Sequence, residues 1–179
     1  MPSKIIGLYS PAPQSGKTTI AKYLQENDYA IVPFAETLKQ MLIPMLEALG
    51  YDNVGANYLV NSAKQVVVNN AGVSVRHMLQ TLGTEYGRTC IHPDIWVRCW
   101  KGRADRYDAV VADDVRFPNE AKIIKLLGGE MWRIDRPDAV RTFDHASEGS
   151  LDTYHEFDRH ITNEGTIDEL ISKLQDIPV

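Results

Sequence analysis

The feature that most constrains the fold is an apolar segment followed by a glycine-lysine-threonine turn and a helical pattern. Residues 4–9 (KIIGLY) are typical of a buried strand, and Gly16-Lys17-Thr18 opens a segment whose apolar residues recur at helical spacing. Backbone N–H groups at such a turn, together with the helix dipole, favour a bound anion. The pattern predicts a loop that holds the phosphates of a nucleoside triphosphate, with the lysine on the outer ones. Its contacting residues are Ser15, Gly16, Lys17, Thr18 and Thr19.

The motif is incomplete, because the pattern G-x-x-x-x-G-K-[ST] requires a glycine where this chain has Pro11. On the motif alone, the alternative is an ordinary helix N-terminus that happens to contain Gly-Lys-Thr. The strand pattern before the turn and the helical pattern after it favour the phosphate loop.

An acidic pair follows a second apolar segment, residues 107–112 (YDAVVA). Open α/β sheets bind ligands at the carboxyl ends of their strands, and a phosphate loop works with a carboxylate there that helps to hold Mg²⁺. We therefore predict a metal site made of Thr18, Asp113 and Asp114. The alternative is an Asp-rich turn that only ends the strand. If the strand continues through Arg116, that side chain shares a side with Asp114.

Strand-like segments alternate with helical patterns along the chain, which predicts an α/β layered fold with a mainly parallel sheet in one domain, residues 1–179. Further strands are expected at 30–34, 130–134 and 161–163, and further helices at 36–49, 95–100, 118–127 and 166–174. Residues 51–74 lack a clear period and are expected to be loop or insertion structure. The polar segment 135–160 is expected to be a long loop or flap.

The helix predicted from Val75 has two contrasting faces. Its apolar stripe is Val75, Met78, Leu79, Leu82 and Tyr86. The opposite face carries Arg76, Gln80, Gly83 and Thr84, which lie side by side at about 100° per residue. A guanidinium, an amide and a glycine that leaves space would suit the phosphate and base edge of a second small molecule. A solvated helix face without a ligand is the alternative.

Composition narrows the classes of protein to which the chain can belong. Hydrophobic residues make up 44% and charged residues 24% of 179, which excludes a disordered or collagen-like chain. A net charge of −5 disfavours a nucleic-acid partner, and no apolar run reaches the roughly 18 residues of a membrane span. Cys90 and Cys99 form no CxxC pair and are expected to be buried small side chains. Because no leader precedes the first strand, we expect a cytoplasmic protein.

Four groups of segments, in this order, resemble the deoxynucleoside monophosphate kinases of tailed bacteriophages: SPAPQSGKTT; VRHMLQTLGTEYGR with HPDIWV; VVADDVRFPNE; and MWRIDRP with HASEG and ITNEGTIDELISKL. The likeness runs nearly end to end and is weakest over residues 51–74. It implies a P-loop NTPase-type three-layer fold, with residues 36–104 as a helical substrate-binding region and 135–160 as a lid. It also implies ATP and Mg²⁺ as cofactors, a deoxynucleoside monophosphate as second substrate, and a homodimer.

The resemblance also implies roles for individual residues. Lys17, Arg116 and the lid arginines Arg136 and Arg141 would act in catalysis. The residues that it places around the acceptor are Lys39, Arg76, Gln80, Gly83, Thr84, Trp96, Asp114, Arg116 and Glu120. The chain departs from the family at Pro11, Pro13 and Gln14, where members can carry glycine or basic residues, so its phosphate grip would rely on Lys17 and the lid arginines.

The reaction expected on these grounds is transfer of the γ-phosphoryl group of ATP to the 5′-phosphate of a deoxynucleoside monophosphate. A monophosphate oxygen is already anionic at neutral pH, so the protein needs to supply in-line geometry and charge cancellation rather than a general base. One alternative is a P-loop kinase with another acceptor, such as dephospho-coenzyme A or a nucleoside. The other is a nucleotide-binding module without catalysis, against which the predicted second-substrate face argues.

Overall fold

The computed structural model describes residues 1–139 and 150–175, which form two compact units. The first unit comprises Met1–Phe34 and Lys101–Val179, and the second comprises Ala35–Trp100. The second unit therefore nearly coincides with the helical region expected at 36–104. Arg141 lies outside the described residues, as does the middle of the segment expected to be a flap.

A five-stranded sheet forms the centre of the first unit, and each of its strand pairings is parallel. Its strands in chain order are β1 Lys4–Tyr9, β2 Ala30–Ile31, β5 Ala109–Ala112, β6 Glu130–Asp135 and β7 Arg159–Thr162. They are arranged in the order β2-β5-β1-β6-β7, with β1 central. The prediction of an α/β fold with a parallel sheet is confirmed.

Helices join these strands and bury their apolar sides. The helices of this unit are α1 Lys17–Glu26, α6 Pro118–Leu126 and α7 Ile167–Ser172. Ile20 and Leu24 of α1 and Leu170 of α7 pack in a core with Leu8 and Trp132 of the sheet. Because consecutive parallel strands are joined through helices, their carboxyl ends lie at one edge of the sheet, where the loop after β1 begins.

The second unit is mostly helical and has its own core. Its elements are α2 Glu36–Ala48, α3 Asn53–Asn61, the antiparallel pair β3 Val67–Val68 and β4 Val73–Ser74, α4 Val75–Thr81, a π-helix at Leu82–Ile91, and the start of α5 Ile95–Ala104. One cluster of its buried side chains consists of Leu42, Leu46, Ala56, Leu59, Val60, Val68 and Val75. Of the two alternatives for residues 51–74, loop or insertion structure, the loop was wrong, because α3 begins after Asp52, whose carboxylate accepts a hydrogen bond from Gly55 N at 2.6 Å.

Two local expectations for the segment from Val75 were wrong. The α-helix from Val75 changes to π geometry after Thr81, so the even spacing of about 100° per residue does not extend to its last members. Tyr86, assigned to the apolar stripe, is accordingly half exposed, and Cys90 is exposed rather than buried. Strand β5 ends at Ala112, before the acidic pair as expected, so the condition under which Arg116 would share a side with Asp114 is not met.

Two further findings bear on the sequence-based expectations. The segment expected to be a flap contains the end of β6 and the start of β7, and residues 140–149 between them lie outside the described part of the chain. Within the described ranges, no helix is both long and apolar enough to cross a membrane.

Candidate active site

The loop between β1 and α1 lines a cleft of about 600 Å³ in the first unit. Two of its residues have left-handed backbone, Gln14 with φ 54° and Gly16 with φ 103°. A Cβ atom on Gly16 would lie 2.8 Å from Asn163 Nδ2, so both the backbone angle and the space require glycine there. The other lining residues are Ser15, Lys17, Thr18, Thr19, Arg136, Asn163, Gly165, Thr166, Ile167 and Leu170.

Lys17 is the principal charged group of this loop. The pKa of its ammonium group is lowered from 10.5 to about 8, chiefly by burial and also by nearby Arg116, whereas Asp113 and Asp114 act in the opposite direction. Lysine Nζ lies 3.5 Å from the hydroxyl of buried Ser15. A buried ammonium group with a lowered pKa gains strongly from an anionic ligand, because the ligand restores the electrostatic compensation that water no longer provides. The predicted residues Arg116, Asp113 and Asp114 are thus close enough to Lys17 for their charges to shift its pKa.

The acidic residues after β5 have different structural settings. The carboxylate of Asp114 accepts a hydrogen bond from Phe34 N at 2.8 Å. Glu120 is buried and accepts from the backbone N–H groups of Arg116 (2.8 Å) and Phe117 (3.1 Å), which closes the N-terminus of α6. Glu120 therefore orders the backbone next to Arg116, a structural function that the sequence pattern did not reveal.

Two side chains donate hydrogen bonds to backbone carbonyl groups of the phosphate loop. Arg136 Nη1 donates to Gln14 O at 2.9 Å, so the side chain of this predicted lid arginine contacts the backbone of the loop. Asn163 Nδ2 donates to Ser15 O, also at 2.9 Å, and this contact is buried. Asn163 was not predicted as a site residue; its only signal was a polar residue at the end of a predicted strand.

The residues expected around the acceptor in the second unit lie on α2, α4, the π-helix and α5. Trp96 is buried and donates from Nε1 to Gly83 O at 2.7 Å. The space beside Gly83 is taken by Leu38, whose Cδ1 would lie 3.2 Å from an added Cβ. Arg76, Gln80 and Thr84 are partly exposed, and Lys39 Nζ lies 3.8 Å from the carboxylate of Glu36. The side chains of Arg76, Gln80 and Thr84 are thus accessible to a ligand, whereas buried Trp96 holds the backbone of the π-helix through Gly83.

The parallel sheet and the loop between its central strand and a helix N-terminus define a P-loop nucleotide-binding protein. The chain belongs to the deoxynucleotide monophosphate kinase family, since the model of that family matches residues 36–174. The family predicted from the sequence is thereby confirmed. The matched range begins after the phosphate loop, so the geometry of the loop is an independent observation.

Individual relatives agree with this assignment. A protein of Acanthamoeba polyphaga mimivirus that carries the provisional name deoxynucleotide monophosphate kinase is 31% identical over 175 residues, which cover 89% of each chain. The deoxynucleoside-5′-monophosphate kinase of Escherichia phage T5 is 36% identical over 69 residues, 37% of this chain and 28% of the phage protein. The crystal structure of TT1252 from Thermus thermophilus aligns with a TM-score of 0.56 over 99% of this chain and 97% of that one; at 14% identity, it supports the fold alone.

Proposed function

We propose that the chain transfers the γ-phosphoryl group of ATP to the 5′-phosphate of a deoxynucleoside monophosphate, which yields a deoxynucleoside diphosphate and ADP. The observation that carries this proposal is the cleft of the phosphate loop with the partly buried Lys17 in it, in a chain of this kinase family. The backbone amides of residues 15–19 and the Lys17 ammonium group hold the donor phosphates. The lid arginines Arg136 and Arg141 and Arg116 offset the charge on the transferred group.

We propose Mg²⁺ as the metal that accompanies ATP. In the described parts of the chain, no cluster of three or more His, Cys, Asp or Glu could hold a metal on its own. Magnesium typically uses one or two carboxylates and the substrate phosphates, so the hydroxyl of Thr18 and the carboxylates of Asp113 and Asp114 fit it as hard oxygen ligands. When bound, the metal would neutralise charge on the phosphates.

The proposed acceptor contacts are the residues that the resemblance places around the second substrate. Arg76 and Arg116 are assigned to the acceptor phosphate, and Gln80 and Thr84 to its sugar or base. Trp96 and Glu120 are assigned indirect roles, through the buried hydrogen bond of Trp96 to Gly83 and the bonds of Glu120 to the start of α6. The remaining proposed contacts are Lys39, Gly83 and Asp114.

The test is an ADP-release assay with ATP and a panel of deoxynucleoside and ribonucleoside monophosphates. ADP formation that depends on one or more deoxynucleoside monophosphates supports the proposal. Activity only with dephospho-coenzyme A or a nucleoside would identify a kinase with another acceptor. ATP binding with no turnover on any acceptor would favour a nucleotide-binding module.

Replacement of the loop lysine tests the mechanism within that assay. Lys17→Ala is expected to lower kcat by at least 100-fold, because the donor phosphates lose their main protein cation. The folded structure should persist, since a cation with an unfavourable burial cost is removed. Lys22→Ala changes an exposed lysine of the same helix and serves as the matched control. Near-normal turnover of Lys17→Ala would contradict the proposed mechanism.

We also propose the finer organisation of the enzyme. Residues 1–179 act as one kinase domain with 36–104 as the substrate-binding region and 135–160 as the lid, without a nucleic-acid or membrane partner, in the cytoplasm of the cell in which it is made. A homodimer is proposed through α2, whose Met41 and Met45 are exposed one helical turn apart. Light scattering on Met41→Lys/Met45→Lys and on the unmodified chain tests the dimer.

A further inference from the structure

Two side chains at the carboxyl ends of neighbouring strands hold carbonyl groups of the phosphate loop. Asn163 directly follows β7 and is 7% exposed. Its own N–H donates to Asp135 O at 2.7 Å, which fixes it to the end of β6, while its Nδ2 donates to Ser15 O at 2.9 Å. Arg136, the next residue after β6, donates to Gln14 O. Side chains that follow β6 and β7 thus donate hydrogen bonds to two successive carbonyl groups of the loop.

The geometry of the peptide group gives these contacts a consequence for the amides. The described peptide bonds are trans, and in a trans peptide the C=O and N–H groups point in opposite directions. Ser15 O and Gly16 N belong to one peptide group, and Gln14 O and Ser15 N belong to the preceding one. A donor that holds each carbonyl therefore turns the corresponding N–H away from that donor.

The loop has left-handed backbone beside the same contacts. Gln14 has a positive φ although it is not glycine, and Gly16 has a φ of 103°. In a residue other than glycine, such a conformation persists only where the surroundings hold it. Asn163 and Leu170 each lie 2.8 Å from the position of an added Cβ on Gly16, so they pack closely against the turn. The Asn163 contact is the buried one of the two donor contacts and is shielded from competing water.

We propose that Asn163 is a positioning residue for the donor phosphates, which fixes the Gly16 amide in its anion-binding direction by holding the Ser15 carbonyl. Arg136 supports the adjacent peptide group in the same way. The inference rests on the proposed function in one respect, namely that ATP binds at this loop. It assigns Asn163 no contact with the substrate and no part in proton transfer.

The test measures the dissociation constant for ATP by calorimetry for the full chain and for Asn163→Ala and Asn163→Asp. We expect Asn163→Ala to weaken ATP binding at least tenfold. Asn163→Asp has nearly the same shape but presents an acceptor to the Ser15 carbonyl, so it should weaken binding further. Asn27→Ala is the matched control, because Asn27 Nδ2 donates to Tyr23 O at 2.8 Å at the opposite end of α1. Its ATP affinity should stay within twofold of wild type, whatever its melting temperature.

A spectroscopic measurement separates positioning from general stability. In ¹⁵N-labelled protein, the amide signal of Gly16 should shift when ATP is added, and this response should be lost or strongly reduced in both Asn163 variants. Folded variants that bind ATP within twofold of wild type, with an unchanged Gly16 response, would overturn the inference while leaving the proposed function intact. A wild-type chain that fails to bind ATP would overturn the proposed function, and the inference with it.

Discussion

At the scale of single residues, the phosphate loop combines a glycine that its turn requires with a glutamine in a conformation that usually favours glycine. Gln14 has a φ of 54° and an exposed side chain, so its side chain gains little from the turn. We expect Gln14→Gly to leave the free energy of unfolding unchanged or to raise it by up to about 1 kcal/mol, because relief of strain outweighs the added freedom of the unfolded chain. The β-branched variant Gln14→Val should lower it by about 1–2 kcal/mol.

Urea unfolding of these variants measures the strain directly. Gln25→Val, at an exposed position of α1 with ordinary helical backbone, is the control and should cost only about 0.5 kcal/mol. A Gln14→Val protein as stable as this control would show that the positive φ carries no strain.

The lowered pKa of Lys17 predicts how the stability of the chain and its affinity for ATP depend on pH. Its pKa is about 8 in the folded chain and near 10.5 when unfolded, so the unfolded chain binds more protons between these values. Stability should therefore rise with pH across that window, through relief of the burial cost. Bound phosphates favour the charged form, so ATP binding should take up a proton near pH 8.5, and affinity should fall above pH 8 by at most about tenfold per pH unit.

Calorimetry at pH 8.5 in two buffers of different ionisation enthalpy measures this proton uptake. Lys17→Arg keeps its charge throughout the range, so its ATP affinity should depend less on pH than that of wild type. The same proton uptake in Lys17→Arg as in wild type would assign the titration to another group.

At the scale of helices and strands, Gly87 of the π-helix packs closely against Trp96 of α5. A Cβ on Gly87 would lie 2.6 Å from Trp96 Cε2 and 2.7 Å from Nε1, the same nitrogen that donates to Gly83 O. Gly87→Ala should therefore lower the free energy of unfolding by about 1–3 kcal/mol, because the ring must move and its hydrogen bond is strained. Urea unfolding followed by tryptophan fluorescence measures the loss.

Gly102→Ala is the control for this substitution, since Gly102 lies in α5 with no other group within 4 Å of an added Cβ. That variant should gain up to about 1 kcal/mol from helix propensity. If both glycine variants were equally stable, Trp96 packing would not restrain the π-helix.

The difference between local signals and contacts with distant residues explains which elements the sequence could predict. The helices expected at 36–49 and 166–174 are present as α2 and α7, because local signals such as the Thr166–Glu169 capping box determine where they begin or end. The π-helix could not be predicted, because its spacing departs from the α-helical period and it packs against Trp96, which follows it along the chain. Helix α3 was missed although Asp52 caps it, since its apolar face is recognisable only against the core of the second unit.

The candidate site divides in a similar way. Lys17 and the acidic pair after β5 were predicted from a motif in which neighbouring residues share one ligand. Asn163 was not, because its hydrogen bond to Ser15 joins residues far apart in sequence. The role of Glu120 was also hidden: its position was predicted, whereas its bonds to the start of α6 emerge only from the folded backbone.

At the scale of the whole molecule, the proposed ligands should stabilise different parts of the chain. ATP is assigned to the loop of the first unit, and contacts with the acceptor are assigned to Arg76, Gln80 and Thr84 of the second. At a concentration 100 times its dissociation constant, ATP should stabilise the fold that binds it by about 2.7 kcal/mol. Amides that exchange only when this fold opens should then exchange about 100-fold more slowly. Hydrogen exchange should show this protection in peptides of β1 and β5.

A deoxynucleoside monophosphate added at a similar excess should instead protect peptides around Arg76–Thr84, and Lys17→Ala should abolish the ATP effect at the same nucleotide concentration. These responses separate the two binding roles without requiring turnover, because each ligand stabilises only the structure with which it interacts. Protection by the monophosphate confined to the phosphate loop would mean that both nucleotides compete for one site, and the acceptor assignment to the second unit would then be wrong.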